Sequence, residues 1–258
     1  MSDATLIGAD APRFAEERRA RILLALREHG RMEVLALARL FGVSEHTIRR
    51  DLKQLHEQGA LQKTHGGAVM LDSTRLGFDA RAALLQRNKD AIGRAAAALI
   101  EPGRTVILDA GSTTLALARA VIARPITVIT SSLDIALVFD RDPAVQLVLT
   151  GGTWQPQARA LRGAAARELL ATCRADIAVL GACALDLRAG VTVSDEDDAA
   201  VKRAMLSHAA RTIVLADRSK QHTIAPFQVA TWSQVHTLVT DISWSEVAQL
   251  GVLVVEVS

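Results

Sequence analysis

Between Phe14 and Leu55 the apolar residues return at helical spacing three times. Ile22, Leu23 and Leu26 recur among Arg and Glu from Phe14 to His29, and Gly30 stands where a helix stops. Val34 to Phe41 predicts a short, largely buried second helix closed by Gly42. A third helix follows at once: Ser44 can cap it, and Glu45 sits where the helix dipole favours negative charge. At 100° per residue, Ile48, Leu52 and Leu55 share one narrow face, while His46, Arg50 and Lys53 centre the opposite one. Thr47, Arg49 and Gln54 flank that polar face. After Gly59, Ala60 to Met70 holds two short strand-like runs around Gly66-Gly67, which predicts a hairpin.

Three helices with a tight turn before the third, then a hairpin, predict a winged helix-turn-helix whose third helix enters the major groove of DNA. In such a docking Arg49, Arg50 and Lys53 would meet phosphate or guanine, with His46, Thr47 and Gln54 as base-edge readers. Ser44 caps the reading helix, and Lys63 and His65 belong to the wing. An ordinary solvated helix in a bundle satisfies the same periodicity, so the pattern alone leaves both readings open.

From Leu71 to Asn88 charged and small residues mix without a clear period, which places the connection between two domains there. The expected organisation is therefore a DNA-binding domain over 14–70, a linker over 71–88 and a second domain over 89–258. An Ala-rich helix starts at Lys89 and ends at Glu101-Pro-Gly103. Then β-branched runs alternate with helical stretches: Thr105–Leu108, Ile126–Thr130, Val145–Thr150, Ile177–Gly181, Thr212–Ala216 and Thr237–Thr240. That alternation predicts an α/β domain on a mostly parallel sheet, in which ligands bind beyond the carboxyl ends of strands.

Those strand ends carry the candidate chemistry. Asp109-Ala-Gly-Ser-Thr-Thr114 opens a helix, with Gly111 permitting close approach and Ser112, Thr113 and Thr114 offering hydroxyls beside free helix N–H groups, the composition of a phosphate cradle. Thr130-Ser131-Ser132 and Thr150-Gly151-Gly152 follow the next two strands. Any one such turn is an ordinary cap; three at successive strand ends suggest a pocket on one edge. Lys202, on a helix predicted over Ala199–Ala210, and Lys220, after a strand, could each meet a phosphate as a point charge.

Composition narrows the classes without choosing among them. The 258 residues are 50% hydrophobic and 22% charged, ordinary for a globular chain with a large core. Net charge is +2, and residues 1–75 hold 12 Lys or Arg against 10 Asp or Glu, so placement of charge must carry any nucleic-acid argument. Two cysteines, Cys173 and Cys183, fit a reducing compartment and no Cys-rich zinc site. Met1 to Pro12 shows no signal-peptide pattern and no apolar run is long enough to span a bilayer, so the expectation is a cytoplasmic protein with no membrane partner, metal or cofactor.

Thr47-Ile-Arg-Arg-Asp-Leu52, preceded by Phe41-Gly-Val-Ser44 and followed by His65-Gly-Gly-Ala-Val69, resembles the N-terminal signature of the DeoR family of bacterial transcriptional regulators over about Arg18 to Val69. One departure is Glu33, where relatives tend to place a Ser or Thr that caps the second helix. The second half is similar to the family's effector domain from about Phe78 to Asp241. Asp109–Thr114, Thr130–Ala136, Gly151-Gly152, Val201–Met205, Leu215–Lys220 and Val239–Asp241 carry the likeness, with Ser131 where relatives usually have Asn. The resemblance implies a fold similar to ribose-5-phosphate isomerase and a sensor of phosphorylated sugars or related metabolites. It also implies a homo-oligomer on double-stranded operator DNA, most often a repressor.

A competing reading makes the second domain an isomerase, which would need a positioned base, usually a carboxylate. If the isomerase alignment holds, Leu180, Cys183 and Ala184 occupy the acidic positions of those enzymes, and the binding groups remain without a base. Asp195-Glu-Asp-Asp198 lies nearby, but acids before a helix are commonly dipole partners. Cys183 has no His obviously placed to activate it and is expected as a small buried residue. A third reading, an architectural DNA-binding protein without a ligand, leaves the glycine and hydroxyl turns unexplained.

Overall fold

The structure, a computed structural model, describes residues 15–57, 60–70 and 78–257, and the chain divides into two compact units, 1–71 and 72–258. Met1 to Phe14, Gly59 and the 71–77 part of the expected connection lie outside the described residues.

In the first unit α1 (Ala15–His29), α2 (Val34–Phe41) and α3 (Glu45–Glu57) pack around Ile22, Leu26, Leu37, Phe41, Ile48, Leu52 and Leu55. Each such side chain contributes about 1.5–3 kcal/mol by leaving water. The second helix buries one face, not most of its surface: Val34, Leu37, Ala38 and Phe41 are covered, while Leu35 and Leu40 remain about half exposed. Gly42 closes it in the left-handed region, φ 64°.

The wing has three strands where a two-stranded hairpin was expected. β1 (Arg31–Glu33), between the first two helices, pairs antiparallel with β3 (Gly67–Met70), which pairs with β2 (Leu61–Thr64). The turn falls at His65-Gly66, and Gly67 belongs to the strand. A Cβ on Gly67 would strike the Met32 carbonyl and lie 2.8 Å from Glu33 Cα, so that glycine exists for close strand approach. β1 also answers the missing cap at Glu33: no side chain caps α2, and its Val34 N–H donates to the wing's Gly66 carbonyl at 2.8 Å.

In the second unit the 71–88 span is more regular than the sequence suggests: α4 (Phe78–Ala83) lies inside it, and α5 (Gln86–Ala97) starts before Lys89. The central sheet contains β4 (Thr105–Leu108), β5 (Ile126–Thr130), β6 (Val145–Leu149), β9 (Ala175–Gly181), β12 (Ala209–Ala216), β14 (Thr237–Thr240) and β15 (Leu253–Glu256). Its order is β15-β14-β12-β9-β4-β5-β6, every pair parallel. Alternate residues face opposite ways. Ile177, Val179, Ile213 and Leu215 meet α5, α6 (Ser112–Ala120) and α7 (Leu133–Phe139), whereas Ala178, Leu180, Val214 and Ala216 pack toward α8 (Ala164–Thr172) and α9 (Glu196–Ser207). Covering both faces is why these strands read as continuous apolar runs.

Two small antiparallel sheets complete the unit. β7 (Thr153–Gln155) pairs with β8 (Ala160–Arg162), and β10 (Ala184–Asp186), β11 (Gly190–Val193) and β13 (Phe227–Ala230) form a layer beside α9. A last short helix, α10 (Ser245–Gln249), precedes β15. α9 begins at Glu196, not Ala199, because the Asp195 carboxylate accepts the Asp198 N–H at 2.9 Å and caps it; residues 209–210, expected to be helical, start β12.

Candidate functional site

α3, the helix expected to read DNA, is preceded by Ser44, whose Oγ accepts the Thr47 N–H at 3.2 Å and lies 2.9 Å from Thr47 Oγ1. Ser44, His46, Arg49, Arg50 and Lys53 are exposed and Thr47 half-buried. Arg49 is paired with Glu45 at 2.9 Å and Lys53 stands 3.8 Å from Glu57, both exposed i,i+4 pairs worth a few tenths of a kcal/mol that DNA phosphates can displace. Arg50 is exposed and has no ion-pair partner among the described residues. Gln54 is held by Arg19, Nη1 to Oε1 at 2.9 Å. Lys63 on β2 and His65 in the turn are exposed on the wing.

Asp51 is a residue that the sequence pattern does not single out. It lies beside the Ile48–Leu52–Leu55 stripe, is 2% exposed, and accepts Arg18 Nε at 2.6 Å. This buried pair fixes the reading helix to α1. The helical wheel placed an acid at the edge of an apolar face, but nothing in spacing named a partner 33 residues upstream.

In the second unit a cleft of about 260 Å³ opens beyond the carboxyl ends of β4, β9, β11 and β12. Five expected residues line it: Gly111, Ser112, Thr113, Lys202 and Lys220. Gly111 precedes α6, and no side chain caps that helix, so its first N–H groups and the Ser112 and Thr113 hydroxyls stand at the positive end of the helix dipole. Lys202 is 2% exposed. Its ammonium donates to the Asp109 carboxylate and to the Gly181 carbonyl at 3.1 Å, and lies 3.9 Å from Asp198. Burial opposes its charge, but Asp109 and then Asp198 outweigh burial and hold its pKa above the ordinary lysine value.

Asp109 and Thr114 support the cleft from behind. Asp109 also accepts the Gly181 N–H at 2.9 Å, and the Thr114 hydroxyl donates to the Gly111 carbonyl at 3.2 Å. The other two turns do not reach the cleft. Thr130 donates to the Leu108 carbonyl at 2.7 Å, Ser132 caps α7 through the Ile135 N–H at 3.3 Å, and the Ser131 carbonyl accepts the Leu161 N–H at 2.8 Å. Gly151 and Gly152, at φ 69° and 107°, turn the chain into β7. Ser131, Gly151 and Gly152 thereby position the β7–β8 hairpin, which supplies Gln155, Gln157 and Arg162 to the cleft, while Thr130 and Ser132 hold the start of α7. In a sheet ordered β9-β4-β5-β6, the ends of β5 and β6 lie progressively farther from β9, which is why three similar turns do not share one pocket.

Groups outside those turns also line the cleft. Lys89, 2% exposed, donates to the Arg81 and Leu84 carbonyls and lies 3.7 Å from Asp217. Burial lowers its pKa to about 8, against the opposing pull of Asp217. Its only sequence signal is a lysine on the inward face of an Ala-rich helix. Cys183 lines the cleft half-buried, not fully buried as expected, and burial, then Asp198, pushes its thiol up, so it stays protonated near neutral pH. The nearby acids are engaged: Asp195 caps α9 and takes Arg162 at 2.9 Å, and Asp198 takes Arg162 at 3.1 Å. The cleft thus presents cations, hydroxyls and helix N–H groups, and its Asp195 and Asp198 carboxylates are held by Arg162 or by the α9 cap.

Residues 18–74 match the profile described as "DeoR-like helix-turn-helix domain", and residues 85–242 match "DeoR C terminal sensor domain". The chain belongs to the DeoR family. The HTH-type transcriptional repressor GlcR of Bacillus subtilis (strain 168) is 35% identical over 230 residues, 88% of this chain and 89% of that protein. A protein of Escherichia coli O157:H7 named "Putative aga operon transcriptional repressor" is 32% identical over 246 residues, 93% of this chain and 91% of that protein. Ribose 5-phosphate isomerase A of Methanocaldococcus jannaschii aligns with 53% of this chain and 54% of its own at 17% identity and a TM-score of 0.39. This DeoR-family chain is a helix-turn-helix transcriptional regulator, with its DNA-binding domain in the first unit and its sensor domain in the second, and both of those relatives carry the name of repressor. Among the described residues no helix is long and apolar enough to cross a membrane.

Proposed function

We propose that this DeoR-family repressor acts in the cytoplasm on a sugar or polyol catabolic operon and leaves its operator when a phosphorylated sugar or related metabolite fills the cleft. The observation that carries the reading is the uncapped start of α6, Ser112 and Thr113, lining one cleft together with buried Lys202 and Lys220. A phosphate placed there meets helix N–H groups, hydroxyls and ammonium charge together. Asp109, Thr114, Thr130, Ser131, Ser132, Gly151 and Gly152 then serve the effector by holding those groups in place. Ser44, His46, Thr47, Arg49, Arg50, Lys53, Lys63 and His65 form the DNA surface, the division of labour running 14–70, 71–88 and 89–258.

A homo-oligomer holds two reading helices about one or two DNA turns apart, and the effector must prefer the arrangement that no longer fits the operator, since equal binding to both shifts nothing. Thermal melting of the full chain with a panel of sugar phosphates tests the proposal. An effector at a hundredfold excess over its Kd adds roughly 2.7 kcal/mol of stability. A panel that leaves the melting temperature unmoved sinks it.

A further inference from the structure

Both ends of α4 are held by residues that line the cleft. At its start the Phe78 N–H donates to the Gln157 carbonyl at 2.9 Å, and the Arg159 guanidinium lies 5.6 Å from the centre of the Phe78 ring. Arg159 is itself fastened to Asp134, Nε to Oδ2 at 2.6 Å. At its end the Arg81 and Leu84 carbonyls accept from the Lys89 ammonium, at a corner where Leu85 takes φ 52°. A non-glycine residue in that region persists only when its surroundings hold it there.

Lys89 has a second partner within reach. The Asp217 side chain is fully buried, its Oδ1 accepts the Ser219 N–H at 3.0 Å, and its Oδ2 has no hydrogen-bond partner among the described residues. That oxygen lies 3.7 Å from Lys89 Nζ, an ion-pair separation beyond hydrogen-bond length. A buried carboxylate oxygen left unpaired is costly, so the site gains when a donor moves toward it. The same loop is bonded to the same corner once more: Asn88 donates to Asp241 at 2.6 Å, and Asp241 accepts the Arg218 N–H at 2.6 Å. Lys220, two residues on, lines the cleft.

We infer that Lys89 is the positioning residue that carries cleft occupancy to α4. It has two sets of partners, the corner carbonyls and the cleft side at Asp217, and an anion seated in the cleft draws its ammonium from the first to the second. The corner then loses its donor and α4 loosens. Because α4 is the first described element after residues 71–77, which follow the DNA-binding unit in the chain, this is where the sensor's state reaches the segment joining it to the DNA reader. The inference rests on the effector proposal, and the two fail separately.

Amide hydrogen exchange on the full chain, alone and with ribose 5-phosphate, fructose 6-phosphate, glucose 6-phosphate or glycerol 3-phosphate, tests it. A bound ester slows exchange at residues 112–114. The inference expects the same ester to speed exchange at 78–85 by about fivefold or more, the low end of a typical coupling between sites. In Lys89→Met the corner exchanges fast without ester, and ester adds nothing. Should that variant not fold, Lys89→Gln, which keeps a donor, replaces it with an intermediate response expected. Protection at 112–114 with no change at 78–85 in the wild type overturns the inference, as does an undiminished ester response in either variant. Absence of protection at 112–114 with every ester defeats the effector proposal itself, and this inference with it.

Discussion

Lys202, which lines the cleft, and Asp109, 93 residues away in sequence, form a buried ion pair. The pair joins α9 to the end of β4, and the Gly181 carbonyl and N–H complete its bonds from β9. Breaking one side of such a pair leaves a buried charge alone, which costs about 3–5 kcal/mol. Lys202→Met is expected to lower stability by that amount in urea unfolding followed by tryptophan fluorescence, a probe confined to the sensor unit because Trp154, Trp232 and Trp244 all lie there. Adding Asp109→Asn should recover a substantial part of the loss; additive losses would show that the two side chains act independently.

Lys89 gives the sensor unit a pH signature of definite sign. Its folded pKa of about 8 lies below the ordinary 10.5, chiefly through burial. Between those values the unfolded chain holds a proton that the folded chain has released, so stability rises with pH across that window. A depression of that size corresponds to roughly 3 kcal/mol at 1.36 kcal/mol per pH unit. The contribution from Lys202, whose pKa is raised, is constant over the window because it is lost only above the unfolded value. Stability of wild type minus that of Lys89→Met, measured from pH 8 to 10.5, should climb; a flat difference would refute the assignment.

Gly66 and Gly67 look equivalent as letters and should respond oppositely to one methyl group. A Cβ at Gly66 meets nothing within 4 Å, whereas at Gly67 it meets the Met32 carbonyl and Glu33 Cα. Gly66→Ala is expected to be nearly neutral, and Gly67→Ala to cost about 1–3 kcal/mol as an overpacked contact, with DNA binding reduced alongside. Circular dichroism of both variants during thermal unfolding separates them.

On the reading helix, neighbouring residues should divide cleanly between binding and folding. Arg50→Ala should weaken binding to a DNA fragment from beside the gene, lower the salt dependence of that binding by about one charge, and leave the melting temperature unchanged. Asp51→Ala leaves buried Arg18 without its acceptor and should cost about 3–5 kcal/mol of stability. Unchanged DNA affinity in Arg50→Ala would remove helix three from the groove.

Much of the architecture was legible because it rests on local pattern. Six of the seven central strands declared themselves as β-branched runs, and Ser44 as a cap follows from its place before Glu45 and an apolar stripe. What stayed hidden depended on partners distant in sequence. β1 is three residues, Arg31-Met32-Glu33, too short for its alternation to stand out from the flanking helices, and only its pairing with β3 makes it a strand. Arg162 reaches the cleft because a hairpin turns it there, and Lys89 is buried because Asp217 and two backbone carbonyls receive it. Thr130, Ser132 and Gly152 have the same chemistry as Ser112 and Gly111 but different sheet positions, and sheet order is not written in any one turn.

The hydrogen bond from Val34 to the Gly66 carbonyl bears on how the DNA reader comes apart. With β1 zipped to β3 and the tip of the wing closing the first turn of α2, fraying at the tip uncaps the helix that precedes the recognition turn. Grip on the backbone and reading of the groove are therefore expected to melt as a single foldon, so that heat or denaturant abolishes operator recognition abruptly, without a stage of loosened specificity.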